Sequence, residues 1–244
     1  SLDVEEVEYA DGVVPGISGG RVNVDALSLN VAKEVALTNG AEAVKLNLQG
    51  SLTLDPNIEF DMDFDFFKLD ELLFKVTLNA SSTLESSLVG ASTFSSNKII
   101  LAKYTLKPIV IYGVVLIPYI NIYAKADGSI EAGLSTKYTA EANGSLGLSY
   151  SQISGWNNLN SFSSKFTPEP INPVANASLK VTVAPDVKLF IYGLAGPGLE
   201  VKPYIRTSID LMSPLCWEIF SGIEASAKVE TNILGQELKV EREF

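Results

Sequence analysis

Residues 44–66 read VKLNLQGSLTLDPNIEFDMDFDF, and this stretch decides the fold class. The even positions Val44, Leu46, Leu48, Leu52, Leu54, Ile58, Phe60, Met62 and Phe64 are apolar. The odd positions Lys45, Asn47, Gln49, Ser51, Thr53, Glu59 and Asp61 between them are polar. Side chains on a strand alternate faces with period two, so the pattern predicts strand with one greasy and one wet face. Asp55-Pro56-Asn57 is expected to turn the chain between two such strands.

The alternation returns from Phe74 to Leu88, and again after Pro118 through Ile120, Ile122, Ala124, Ala126, Leu134, Tyr138 and Leu148. Hairpin turns are expected at Asp127-Gly128 and Asn143-Gly144, dipeptides that favour tight reversals. Odd parity takes over at Leu179, Val181, Val183, Val187 and Leu189, and later at Trp217, Ile219 and Ile223. The segment 151–173 is expected as a loop joining halves 1–150 and 174–244 of a single elongated domain, 1–244. Helix is expected only over Val24–Leu37, from the spacing of Leu27, Val31 and Val35, with a short turn over Phe66–Phe74. The order Ile111-Tyr112-Gly113, Pro118-Tyr119-Ile120 is echoed by Ile191-Tyr192-Gly193, Pro203-Tyr204-Ile205, which points to a degenerate internal duplication.

Composition narrows function by exclusion. Hydrophobic residues make up 46% of the 244 and charged ones 19%, enough for a core and against disorder. A formal net charge of −11 repels phosphate backbones, so nucleic acid is excluded as a partner. The chain has no histidine, which removes imidazole-based triads and the usual zinc sites. Its one cysteine, Cys216, has no internal disulfide partner and is expected in the core. The run from Ile109 to Tyr123, broken by Gly113 and Pro118, is too short for a transmembrane helix. Because it begins at Ser1, the sequence reads as a processed form or as part of something longer.

Three constellations carry candidate chemistry. Gly155-Trp156-Asn157-Asn158-Leu159-Asn160 combines an aromatic face with amides, the chemistry that stacks on a sugar ring and bonds its hydroxyls. The alternative is a Trp156 that tucks back to pin the loop. Asp61, Asp63 and Asp65 share parity and would stand about 7 Å apart along one face, a row fit for Ca²⁺ or for a solvated edge. Paired carboxylates such as Glu131 and Glu141, placed across the expected hairpin, are the only acid–base machinery available. Asn79, Asn143 and Asn176 each begin an Asn-x-Ser sequon.

The stretch from Pro118 to the end resembles β-rich segments of large secreted or cell-surface proteins of bacteria and fungi. The residues that carry the likeness are Pro118-Tyr119-Ile120, Lys125-Ala126-Asp127-Gly128-Ser129, Gly155-Trp156, Tyr192-Gly193-Leu194-Ala195-Gly196-Pro197, Trp217 and Ile223-Glu224-Ala225. That group has no assigned activity, so the resemblance implies an all-β fold and an extracellular or cell-surface location.

The sequence therefore predicts an all-β protein of long antiparallel strands, arranged as an elongated sandwich or flattened barrel. The expected role is a non-enzymatic structural or adhesion module that contacts carbohydrate or another surface or matrix protein. No cofactor is expected, apart from Ca²⁺ at the aspartate row. A carrier of an apolar ligand such as lipid, held between β layers, is the first alternative. A carboxylate-dependent glycosidase is the second.

Overall fold

The computed structural model describes residues 4–15, 27–38, 43–65, 68–111, 113–171, 175–193, 195–213, 216–233 and 236–243. Among them the only regular elements are strands: β1 (Val4–Tyr9), β2 (Val13–Pro15), β3 (Leu27–Thr38), β4 (Ala43–Asp65), β5 (Lys68–Val89), β6 (Ser92–Ser95), β7 (Ile99–Leu106), β8 (Ile109–Ile111), β9 (Val114–Ile130), β10 (Leu134–Ser151), β11 (Gly155–Asn158), β12 (Ser161–Pro168), β13 (Ala177–Ile191), β14 (Ala195–Ile209), β15 (Trp217–Ile233) and β16 (Gln236–Glu243). One sheet runs β1-β7-β9-β13-β14-β15-β16, with β6 and β8 also paired to β9. The other runs β11-β10-β5-β4-β3-β2, with β12 also on β10. All pairings are antiparallel, and the two sheets form a sandwich, not a closed barrel.

Period two explains why these residues form these layers. Leu29, Leu46, Leu48, Leu54 and Val76 of one sheet and Leu116, Ile120, Ile122, Leu179 and Leu189 of the other belong to one buried cluster between them. Each such side chain taken from water contributes about 1.5–3 kcal/mol. Outward on the second sheet stand Ser51, Thr53, Ser81, Thr83, Thr139, Asn143, Ser163 and Thr167, in rows set by the ladder. The first sheet takes strands from both sides of residues 151–173, so its hydrogen bonding joins the two expected halves.

Several local expectations are corrected. Asp55-Pro56-Asn57 is no turn: β4 runs straight through it, with Pro56 opposite Leu78. Among the described residues the β3–β4 ladder runs from Thr38–Ala43 to Leu27–Leu54, and β4 continues past Pro56 paired with β5. Asp127-Gly128 and Asn143-Gly144 also lie inside strands. A Cβ on Gly128 would overlap the Ser178 carbonyl oxygen, and one on Gly144 would overlap the Phe162 ring. These glycines serve close approach of a neighbouring strand, not reversal. The expected helix is strand β3 from Leu27 onward, with Leu27, Leu29, Val31 and Leu37 buried. An apolar repeat every four residues fits both a helix and every second inward position of a strand, and the sheet offered the larger core. Lys68–Phe74 is strand, not turn, and 151–173 carries β11 and β12 where a loop was expected. Cys216 is exposed, not core, because it lies just before β15 in the connection that follows Ile209. Residues 24–26, Phe66, Tyr112, Pro173 and Leu194 lie outside the described residues.

The echoed Ile-Tyr-Gly motifs meet in space. Tyr192 (φ 51°), Gly193 (φ 71°) and Gly113 (φ 83°) adopt left-handed backbone at the turns into β14 and β9. Tyr192 Oη donates to the Gly113 carbonyl at 2.6 Å, and its backbone N–H donates to Val115 O at 2.8 Å.

Candidate functional site

Strand β10 ends at Ser151, where a tight reversal presents the first candidate. The Ser154 amide donates to Ser151 Oγ at 3.1 Å, and the two hydroxyls lie 2.6 Å apart. Gly155 then takes φ 67°, a conformation that glycine supplies cheaply, and β11 folds back along β10. This places Trp156 opposite Tyr150 with ring centroids 5.1 Å apart and planes inclined at 48°. Trp156 remains 60% exposed, so the pairing steadies the indole without hiding it. Trp156 leans on the sheet through Tyr150 and still shows a face to water.

The amides divide. Asn158 pairs with Leu148 and shares parity with Trp156, whereas Asn157 pairs with Ser149 and stands on the opposite face. Asn157 Nδ2 donates to Ser154 Oγ at 3.3 Å, which braces the reversal. Asn160 is exposed in the step between β11 and β12. The face that carries Trp156 therefore also carries Tyr150 and Asn158.

The ladder brings the aspartate row to this same end of the sheet. Asp61 pairs with Leu73, Leu73 with Ser149, and Ser149 with Asn157, in one transverse row. The next row is Asp63, Glu71, Ser151 and Gly155. Three strand spacings of about 4.8 Å put Asp61 roughly 14 Å from Asn157. Asp61 and Asp63 are exposed, and the register shifts between Asp63 and Phe64. Asp65 pairs with Lys68, and its side chain lies outside the described set. Among the described residues, no group of three or more His, Cys, Asp or Glu side chains is placed to hold a metal ion.

Glu131 and Glu141 do not face each other across a hairpin, because β9 and β10 belong to different sheets. Glu131 accepts a bond from Asn176 Nδ2 at 3.0 Å, and Glu141 stands opposite Ser81 and Lys165.

A charge cluster escaped the sequence reading. Asp186 on β13 and Glu200 on β14 are direct cross-strand partners, 5% and 1% exposed. Lys98, in the crossing between β6 and β7, contacts Glu200 Oε1 and lies 3.9 Å from Asp186 Oδ2. Its ammonium also sits 4.3 Å above the Tyr123 ring. Lys188 is 4.0 Å from Asp186 Oδ2, Lys202 is 3.4 Å from Glu200 Oε2, and Ser226 Oγ donates to that same oxygen at 3.4 Å. Both carboxylates are buried and lie within 4.0 Å of lysine ammonium groups. In sequence Asp186 and Glu200 look like ordinary outward polar residues, since register between distant strands leaves no local trace.

The gap between the sheets, lined by Leu52, Leu84, Tyr138, Val181 and Ile205, holds about 50 Å³, space for a few water molecules. No helix among the described residues is long and apolar enough to cross a membrane. No known protein family, curated protein or solved structure matches the chain.

Proposed function

We propose that this protein is a non-catalytic module of an extracellular or cell-surface protein, and that it contacts carbohydrate through the Tyr150–Trp156 end of the sandwich. The observation that carries the reading is Trp156, 60% exposed on a four-residue edge strand yet set against a second ring. A soluble protein rarely leaves so large an apolar surface in water without a use, and an indole face matches the C–H face of a pyranose. Asn158 on the same face supplies an amide for ring hydroxyls. The net charge of −11 disfavours anionic glycans, so the ligand class is neutral sugar.

The test is a glycan array probed with the protein and with Trp156→Ala, with the melting temperature of each recorded alongside. Loss of neutral-glycan signal at an unchanged melting temperature is expected. Signal that survives the substitution refutes this site.

A further inference from the structure

We infer that one flank of β15, over Trp217–Ala225, takes up an extended cationic peptide strand from another protein. β15 pairs with β14 along Trp217–Thr231, but β16 covers its other flank only from Ser226 to Ile233. Among the described residues, no strand pairs with that other flank over Trp217–Ala225. Alternate residues of an edge strand turn their N–H and C=O groups outward in the plane of the sheet. The ladder to β14 runs without a register shift, and the segment holds no Lys, Arg or Pro. So regular an edge is a template for one more strand. β16 already occupies the same lane further along β15.

The two faces of this edge select what the strand carries. Ile219 and Ile223 pack against the core, and Ser221 and Ile223 line the gap between the sheets. Ser164, Lys165 and Phe166 of β12 line the same gap from the edge of the other sheet. Ser164, Lys165 and Ser221 are exposed at its mouth. An added strand presents apolar side chains on this side, and the one beside Ser221 leans into the gap of about 50 Å³. On the opposite face, by alternation, stand Glu218, Phe220 and Glu224, all exposed. The two glutamates call for Lys or Arg opposite them.

The same glutamates argue against a second copy of this chain as the occupant. Antiparallel self-pairing of the whole segment Trp217–Ala225 centres on Ser221 and sets Glu218 opposite Glu224 twice. Like charges directly opposed across a ladder repel. A cationic segment gains where a copy loses, and the net charge of −11 draws it in. The occupant is an extended segment with apolar residues at alternate positions and Lys or Arg between them. This inference stands independently of the Trp156 reading, because β15 belongs to the other sheet.

The test is amide NMR and hydrogen exchange of the full chain titrated with the end-blocked peptide VKVTVTVKV. Its lysines fall opposite Glu218 and Glu224 in either strand direction. Shifts along Trp217–Ala225, with exchange slowed at alternate residues and both retained in Trp156→Ala, are expected. The peptide with Glu in place of both lysines should bind roughly fivefold more weakly or worse, and Glu218→Lys should narrow or reverse that preference. Absence of shifts at millimolar peptide overturns the inference, as do shifts confined to other strands. Equal binding of the two peptides overturns the cationic assignment. Concentration-dependent shifts at Trp217–Ala225 without peptide would give the edge to a second copy and overturn the inference as well. Because the wild-type shift map is decisive by itself, a variant that misfolds does not rescue the idea.

Discussion

Asp186 and Glu200 face each other directly across β13 and β14, both buried, and Lys98 reaches across from a different part of the sheet to touch Glu200 and approach Asp186. Like charges opposed in this way repel, so the pair is tolerable only while the ammonium groups remain. Lys98→Met is expected to cost about 1–2 kcal/mol, reduced from a fully buried pair because the lysine is 41% exposed. In a chain of this size that corresponds to a drop of roughly 2–8 °C in melting temperature by calorimetry. Lys125→Met, which removes the exposed Lys125–Asp127 pair, should change stability by less than about 0.5 kcal/mol.

The strand glycines give a paired prediction. Gly128→Ala drives a methyl into the Ser178 carbonyl and should destabilise by about 1–3 kcal/mol or more, with a lower denaturant midpoint. At Gly133 the nearest atom to an added Cβ is Leu88 O, at 3.5 Å. Gly133→Ala is therefore expected to be neutral within about 0.5 kcal/mol, or slightly stabilising. Equal effects at the two sites would contradict the in-strand placement of Gly128.

Burial raises the pKa of Tyr138, and burial followed by the adjacent Tyr9 raises that of Tyr104, both well above the ordinary tyrosine range. A raised folded-state pKa means the native protein holds these protons when the unfolded chain has released them. The stabilisation from these two phenols is complete below the unfolded pKa near 10 and declines as pH rises past it. In a spectrophotometric titration, Tyr104 and Tyr138 should ionise only together with unfolding. Phe at positions 104 and 138 should remove that late phase.

Both tryptophans are accessible, Trp156 at 60% and Trp217 at 38%. Emission close to that of indole in water and efficient acrylamide quenching are expected, and Trp156→Phe should remove the more quenchable component. Blue-shifted, protected emission would contradict the exposed rim.

The layers were legible in sequence because burial on one face writes itself directly into alternate residues, as from Val44 to Phe60 and from Leu179 to Leu189. Turns were less so. Asp127-Gly128 and Asn143-Gly144 have the chemistry of reversals, but the same absence of a Cβ answers crowding by Ser178 and Phe162, and only the partner strand decides which applies. Trp156 was found because an aromatic among amides is a local signal, yet its separation from Asn157 followed only once both were on a strand. Lys98 and Glu200, 102 positions apart, meet through register alone.

The 23- and 22-residue strands β4 and β5 are consecutive in the chain, and β10 and β12 complete their sheet by Pro168, whereas β13 to β16 of the facing sheet are made later. During synthesis on the ribosome, the greasy side of Leu46, Leu48, Leu54 and Val76 must then wait for the part of its cover that Leu179 and Leu189 supply. Such a nascent chain is sticky for as long as translation of the remainder takes. Slow codons after residue 168 should lower soluble yield, and a holdase chaperone should restore it.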